Sequence, residues 1–164
     1  MKIRKASLSE IDQIVKIYSD ARKFMRESGN AGQWASGYPS REILVSDVES
    51  EQLYVAVSEE DEILASFVYF FGIDKTYLKI YDGEWKNDLP YGVIHRIAVA
   101  QNAHGLGVAR FCFDFAYSLC KNLKIDTHVD NLPMQKALLK SGFEYCGIIY
   151  LESGDSRIAF QKHT

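Results

Sequence analysis

The residues of this chain most able to do chemistry gather in its second half. His104-Gly105-Leu106-Gly107-Val108-Ala109-Arg110 follows an apolar, β-prone segment, Val93 to Val99, and leads into a helical apolar period from Phe111 to Leu119. A strand-to-helix turn of this kind leaves the first helical amides without internal partners and points the positive end of the helix dipole outward. It can therefore hold an anion, phosphate above all. Two close glycines also serve a plain tight turn, and the turn alone leaves both readings open. His95, in the strand before the turn, carries the one kind of side chain that titrates near neutrality.

These residues need elements to position them. Ile3 to Ala6 reads as a first strand, and Ser7 or Ser9 with Glu10 as a helix start. Ile11, Ile14, Val15, Tyr18, Ala21, Phe24 and Met25 then make the stripe of an amphipathic helix ending near Gly29. Gly32 to Pro39 is a glycine-rich loop holding Trp34 and Tyr38, aromatics that either close over the core or line a site. Ser40 caps a second helix bearing Ile43, Leu44 and Val48. Leu53 to Val57 and Ile63 to Phe71 form an antiparallel hairpin around an acidic turn. Asp74 to Pro90 is a long irregular connection, a kind that often carries function.

Tyr91 to Val99 is the next strand. Val108, Phe111, Cys112, Phe115, Ala116 and Leu119 give the following helix one apolar face, which must pack on a sheet. Lys124 to Val129 is the strand after it, and the strand-helix-strand order favours a right-handed parallel crossover. Asp130 or Asn131 caps a short helix that carries Pro133 in its first turn and ends at Gly142. Phe143 to Leu151 and Arg157 to Gln161 close the chain as a hairpin.

A length of 164 residues fits a single domain, 1–164, with a real core. A formal net charge of −3 gives no basic footprint, so neither nucleic acid nor a membrane is an expected partner. Cys112, Cys120 and Cys146 cannot all pair and have no metal-ligand spacing, so no metal is expected. No stretch is apolar enough to span a bilayer or to serve as a leader, and a cytoplasmic protein is the expectation.

Strand, glycine turn, helix, strand, Asn-headed helix and Gly-Phe strand, in that order, resemble the GNAT superfamily of N-acetyltransferases. The family's central motif, Arg/Gln-x-x-Gly-x-Gly/Ala, is matched at Gly107 and Ala109, with His104 at its first position. Gln101 and Ala103 stand where many members have proline and an aromatic residue. Asn131-Leu132-Pro133-Met134, followed by Leu138 to Phe143, is similar to the family's later motif, with Leu138 at a position often held by a tyrosine acid.

The resemblance implies an α/β (α+β) fold: a mixed, mostly antiparallel twisted sheet with a splayed central parallel strand pair, flanked by helices. It implies acetyl-CoA as cosubstrate, lying between Val93 to Val99 and Lys124 to Val129. The backbone of Ile97, Ala98 and Val99 would meet the pantetheine arm, and Gly105, Leu106, Gly107, Val108, Ala109 and Arg110 would wrap the pyrophosphate. His104 would add a hydrogen bond or charge, and Asn131 would bond the arm or cap its helix. The implied activity is acetyl transfer to a primary amine of a small molecule or peptide, by direct attack, in a monomer or homodimer.

Such a reaction must take a proton from an ammonium, polarise a carbonyl and protonate a thiolate. His95 is the candidate base or water relay, with Glu84 as a further possibility. Tyr145 and Tyr150 lie five apart in one strand, so regular alternation lets at most one face the site, and Tyr150 is the candidate acid. Trp34, Tyr38 and Trp85 would wall the acceptor pocket, where aromatic faces suit a cationic amine. Leucine at 138 keeps a second reading in play, a module of the same fold that binds or senses acyl-CoA without turnover. A Rossmann-type dinucleotide site fits less well, because the turn sits late in the chain and has only two of the needed glycines.

Overall fold

Periods of two and of 3.6 resolve into seven strands and four helices in the computed structural model, which describes residues 1–164. In chain order these are β1 (Lys2–Lys5), α1 (Ile11–Glu27), α2 (Arg41–Glu49), β2 (Leu53–Val57), β3 (Ile63–Phe71) and β4 (Gly92–Val99). Then follow α3 (Val108–Cys120), β5 (Asn122–Thr127), α4 (Leu132–Lys140), β6 (Glu144–Tyr150) and β7 (Ser156–His163). The expected elements are all present, with ends moved by one or two residues.

One sheet runs in the order β1-β2-β3-β4-β5-β7-β6. Every neighbouring pair is antiparallel except β4 and β5. That parallel pair is joined only at Gly92↔Leu123 and Val93↔Lys124, after which the strands part. Helix α3, which links them, packs on β3, β4 and β5 through Val108, Cys112, Phe113 and Ala116. The core stripe of α1 holds Ile11, Ile14, Ile17 and Tyr18, while Phe24 and Met25 at its end reach the gap beyond the parted strands.

A second, smaller core is built by the 72–91 connection. Tyr77 and Tyr91 bury Val93, Ile149 and Ala159 on one sheet face, and Trp85 backs them. Tyr81 bridges to Ile148 by two 2.8 Å hydrogen bonds, which covers the otherwise open edge of β6.

Two bulges alter which way side chains point. In β4, Arg96 and Ile97 stand opposite the single residue Phe67, and Arg96 takes a positive φ of 49°. In β6 the register shifts between Tyr145 and Gly147. No helix is long and apolar enough to cross a membrane.

Candidate active site

The gap between β4 and β5 opens into two adjoining cavities that share Met25, Ile97, Asn131 and Met134. One, of about 550 Å³, runs past Ile97, Ala98 and Val99 to the turn before α3 and is walled opposite by α4. His104, Gly105, Gly107, Val108, Ala109 and Arg110 line it, whereas Leu106 points to solvent. Gly105 and Gly107 have φ of +79° and +78°, and a Cβ added at either would stand in open space. The amides of Gly105, Gly107, Val108, Ala109 and Arg110 donate to no backbone carbonyl. A cradle of unpaired amides at a helix N-terminus offers the donors that an anion takes. His104 is held at its edge, with Nε2 3.3 Å from the Val99 carbonyl and its ring edge-on to Phe24 at 4.8 Å.

The second cavity, of about 690 Å³, lies at the other end of the gap. His95 Nε2 is 2.6 Å from a carboxylate oxygen of Asp74. Burial alone would raise the Asp74 pKa, but hydrogen bonds from His95 and Thr76 outweigh it and hold it at about 2. Asp126, on the neighbouring β5, accepts a 2.6 Å hydrogen bond from the Tyr77 hydroxyl. Burial raises the pKa of this carboxyl above the ordinary value.

Trp34 and Tyr38 line the same cavity from the loop before α2. The loop is pinned at both ends. Gln33 Oε1 accepts from Asn30 Nδ2 at 2.8 Å and from Asn131 Nδ2 at 2.9 Å, and the Tyr38 hydroxyl accepts from Arg96 at 2.9 Å. Arg96 in turn grips the buried Asp47 of α2 with two bonds of 2.9 and 2.8 Å. Tyr18 donates to the Arg96 carbonyl, so both the backbone and the side chain of the bulge are fixed.

His95, Trp34 and Tyr38 thus meet in one cavity, and Asn131 joins it to the other while accepting from Met134 N as its helix cap. Trp85 lies behind Tyr77, its indole N–H donating to the Tyr77 carbonyl at 2.9 Å, and lines neither cavity. Tyr150 is 48% exposed, with its ring on Tyr81. The β6 bulge explains its place: Tyr145 pairs with Phe160 and Tyr150 with Ser156, so both share the sheet face opposite that of Arg157 and Ala159. Glu84 is exposed, and Leu138 is fully buried, a packing position in this chain. Sequence reading missed Asp74, Tyr77, Asp126 and Arg157. The only local signal was Asp74, two residues before Thr76 in a turn-capping pattern inside a connection long enough to attract notice.

Residues 12–143 match the family model described as the acetyltransferase (GNAT) family. A GNAT-family acetyltransferase from Streptococcus agalactiae superposes with a TM-score of 0.91 at 30% identity, covering 99% of this chain and 95% of that one. A GNAT-family acetyltransferase from Listeria monocytogenes shares the fold with a TM-score of 0.72 at 17% identity, covering 99% and 94%. The ribosomal-protein-alanine N-acetyltransferase of Brucella melitensis does so with a TM-score of 0.68 at 18% identity, covering 100% of both chains. No curated protein sequence matches the chain.

Proposed function

This chain belongs to the GNAT acetyltransferase family, and from that premise we propose that it transfers an acetyl group from acetyl-CoA to a primary amine by direct attack. The observation that carries the reading is the continuous groove, with unpaired amides at one end and a carboxylate-held imidazole at the other.

Acetyl-CoA, when bound, supplies an acyl carbon activated as a thioester; as the amide bond forms the carbon–sulfur bond breaks, and CoA leaves as a thiolate that takes its proton from water. The amides of Gly105 and of 107–110 hold its diphosphate, and the edge of Ile97 to Val99 faces its arm. The bulge takes Arg96 and Ile97 out of register with β3 beside the gap, and a backbone amide there would be the donor toward the acyl oxygen.

The acceptor enters as an ammonium, drawn by Asp74, Asp126 and the aromatic faces of Trp34 and Tyr38. With Nε2–H donated to Asp74, the imidazole of His95 keeps Nδ1 free to take the amine proton, directly or through a water. Asp74, ionised at all working pH values, stabilises the imidazolium that results. Three unpaired cysteines, two of them buried, fit a reducing compartment, and the cytoplasm is the location we assign.

A second reading is acyl-CoA binding without turnover. It is favoured by the absence of a tyrosine acid at Leu138 and by the outward position of Tyr150. Incubation with acetyl-CoA and a broad amine panel, followed by release of free thiol, separates the two. Thiol release dependent on an amine supports transfer. Tight CoA binding with no release from any amine selects the second reading, and no CoA binding defeats both.

A further inference from the structure

Arg157 lies in the acceptor cavity with no carboxylate in ion-pair contact, although its charge is felt by Asp126. Arg96 is neutralised there by Asp47 and His95 is held by Asp74. Arg157 is only 9% exposed and donates a single hydrogen bond, to the carbonyl of its neighbour Ser156 at 2.9 Å. The remaining donors of the guanidinium are not sealed in protein but open into the cavity, where an arriving anion can take them. Its planar fork matches a two-oxygen anion.

The register shows where that anion would lie. Val93 opposes Lys124, which puts His95 and Asp126 on one sheet face. Asp126 opposes Ala159, and Arg157 stands two residues before Ala159 on the same face. His95, Asp126 and Arg157 therefore form a row across three adjacent strands, β4, β5 and β7, with the carboxylate in the middle. Two strand spacings are ~10 Å, and the long Arg157 side chain shortens the gap from its end.

We propose that the acceptor is a small amine that also carries a carboxylate, the amine meeting His95 and Asp126 and the carboxylate meeting Arg157. This rests on the acetyltransferase reading and narrows its substrate class to molecules of amino-acid type. The free carboxylates Glu152 and Asp155, also in this cavity, argue for a cationic acceptor such as a diamine. They sit on an exposed hairpin tip, however, whereas a second ammonium driven deeper would face the Arg157 guanidinium.

The test compares α-amino acids, β-alanine and γ-aminobutyrate with their carboxamides, and with 1,4-diaminobutane, in acetylation assays. At least one carboxylate acceptor should exceed its carboxamide in kcat/KM by tenfold or more, through KM. Arg157→Gln should erase that ratio, and Arg157→Lys should restore part of it. An unchanged ratio in an Arg157→Gln protein of normal melting temperature overturns the proposal, as does preference for the diamine.

Calorimetric titration of the same amino acids and carboxamides into the CoA-loaded protein reads the subsite without turnover. Carboxylate binding that depends on Arg157 upholds the subsite even where no amine is acetylated, an outcome that would count against catalysis alone. Acetylation of other amines with no carboxylate-dependent binding overturns the subsite and leaves the enzyme reading standing.

Discussion

His95 and Asp74 are joined by a 2.6 Å contact between residues 21 positions apart, one in a central strand and one at the start of the irregular connection that covers it. The carboxylate fixes the imidazole tautomer, much as an orienting acid does in other proton-transfer sites.

From this pairing, His95→Gln should lower kcat by about 10²- to 10⁴-fold, the usual range for loss of a general base. Asp74→Asn should lower it less, since the imidazole remains, and neither change should move the KM for acetyl-CoA. Steady-state kinetics with both substrates varied decide it. A His95→Gln enzyme with wild-type kcat removes His95 from the mechanism.

Gly107 offers a separate test of the diphosphate cradle. At φ +78° an alanine is strained by about 1–2 kcal/mol, yet its Cβ meets no protein atom. Gly107→Ala should thus cost modest stability and at least tenfold in CoA affinity. Gly29→Ala, with φ of +87° and equally open space, should show similar strain and normal affinity. Parallel calorimetry and melting curves read both, and equal CoA affinities in the two variants would put the diphosphate elsewhere.

The elements and the glycine turn with its free amides were legible because they are local. Helical apolar periods begin at caps such as Ser40 and Asn131, and a strand-turn-helix sequence exposes its own amides. The acceptor end was legible only in part: His95, Trp34 and Tyr38 line it as expected, but Asp74, Asp126 and Arg157 did not stand out, because it is assembled from residues distant in sequence. Asp74, His95, Asp126 and Arg157 become neighbours only through strand order and register. The two bulges hid more. Strict alternation let Tyr145 and Tyr150 face opposite ways, but the bulge before Gly147 puts both on the face away from His95. Trp85, with no pattern to mark its orientation, is spent on packing against Tyr77.

Arg96 and Asp47 form a nearly buried ion pair that ties the β4 bulge to α2. Removing one partner strands the other charge. Arg96→Met should destabilise by about 3–5 kcal/mol, and Asp47→Leu combined with Arg96→Met should recover much of that loss. Urea unfolding of the two single variants and the double variant measures the coupling. If the single losses simply add, the pair is not an energetic unit.

Lys124 presents a buried cation with no anionic partner. It is 4% exposed, with Nζ 4.2 Å from the Trp85 ring centroid and 4.0 Å from that of Tyr91. Burial lowers its pKa from 10.5 to about 8, and the two rings face the ammonium in place of water. Between these values the unfolded chain binds a proton that the folded chain has released, so this group's contribution to stability rises with pH across that window. Below about pH 8 the folded state bears the full cost, about 1–3 kcal/mol after allowance for partial solvation. Lys124→Met keeps the length and an aromatic-compatible sulfur, and should be more stable than wild type by that amount at pH 7. The advantage should shrink steadily from pH 8 to 10.5 in urea titrations at fixed ionic strength. A variant no more stable than wild type at pH 7 would mean that the two rings hold the charge without cost.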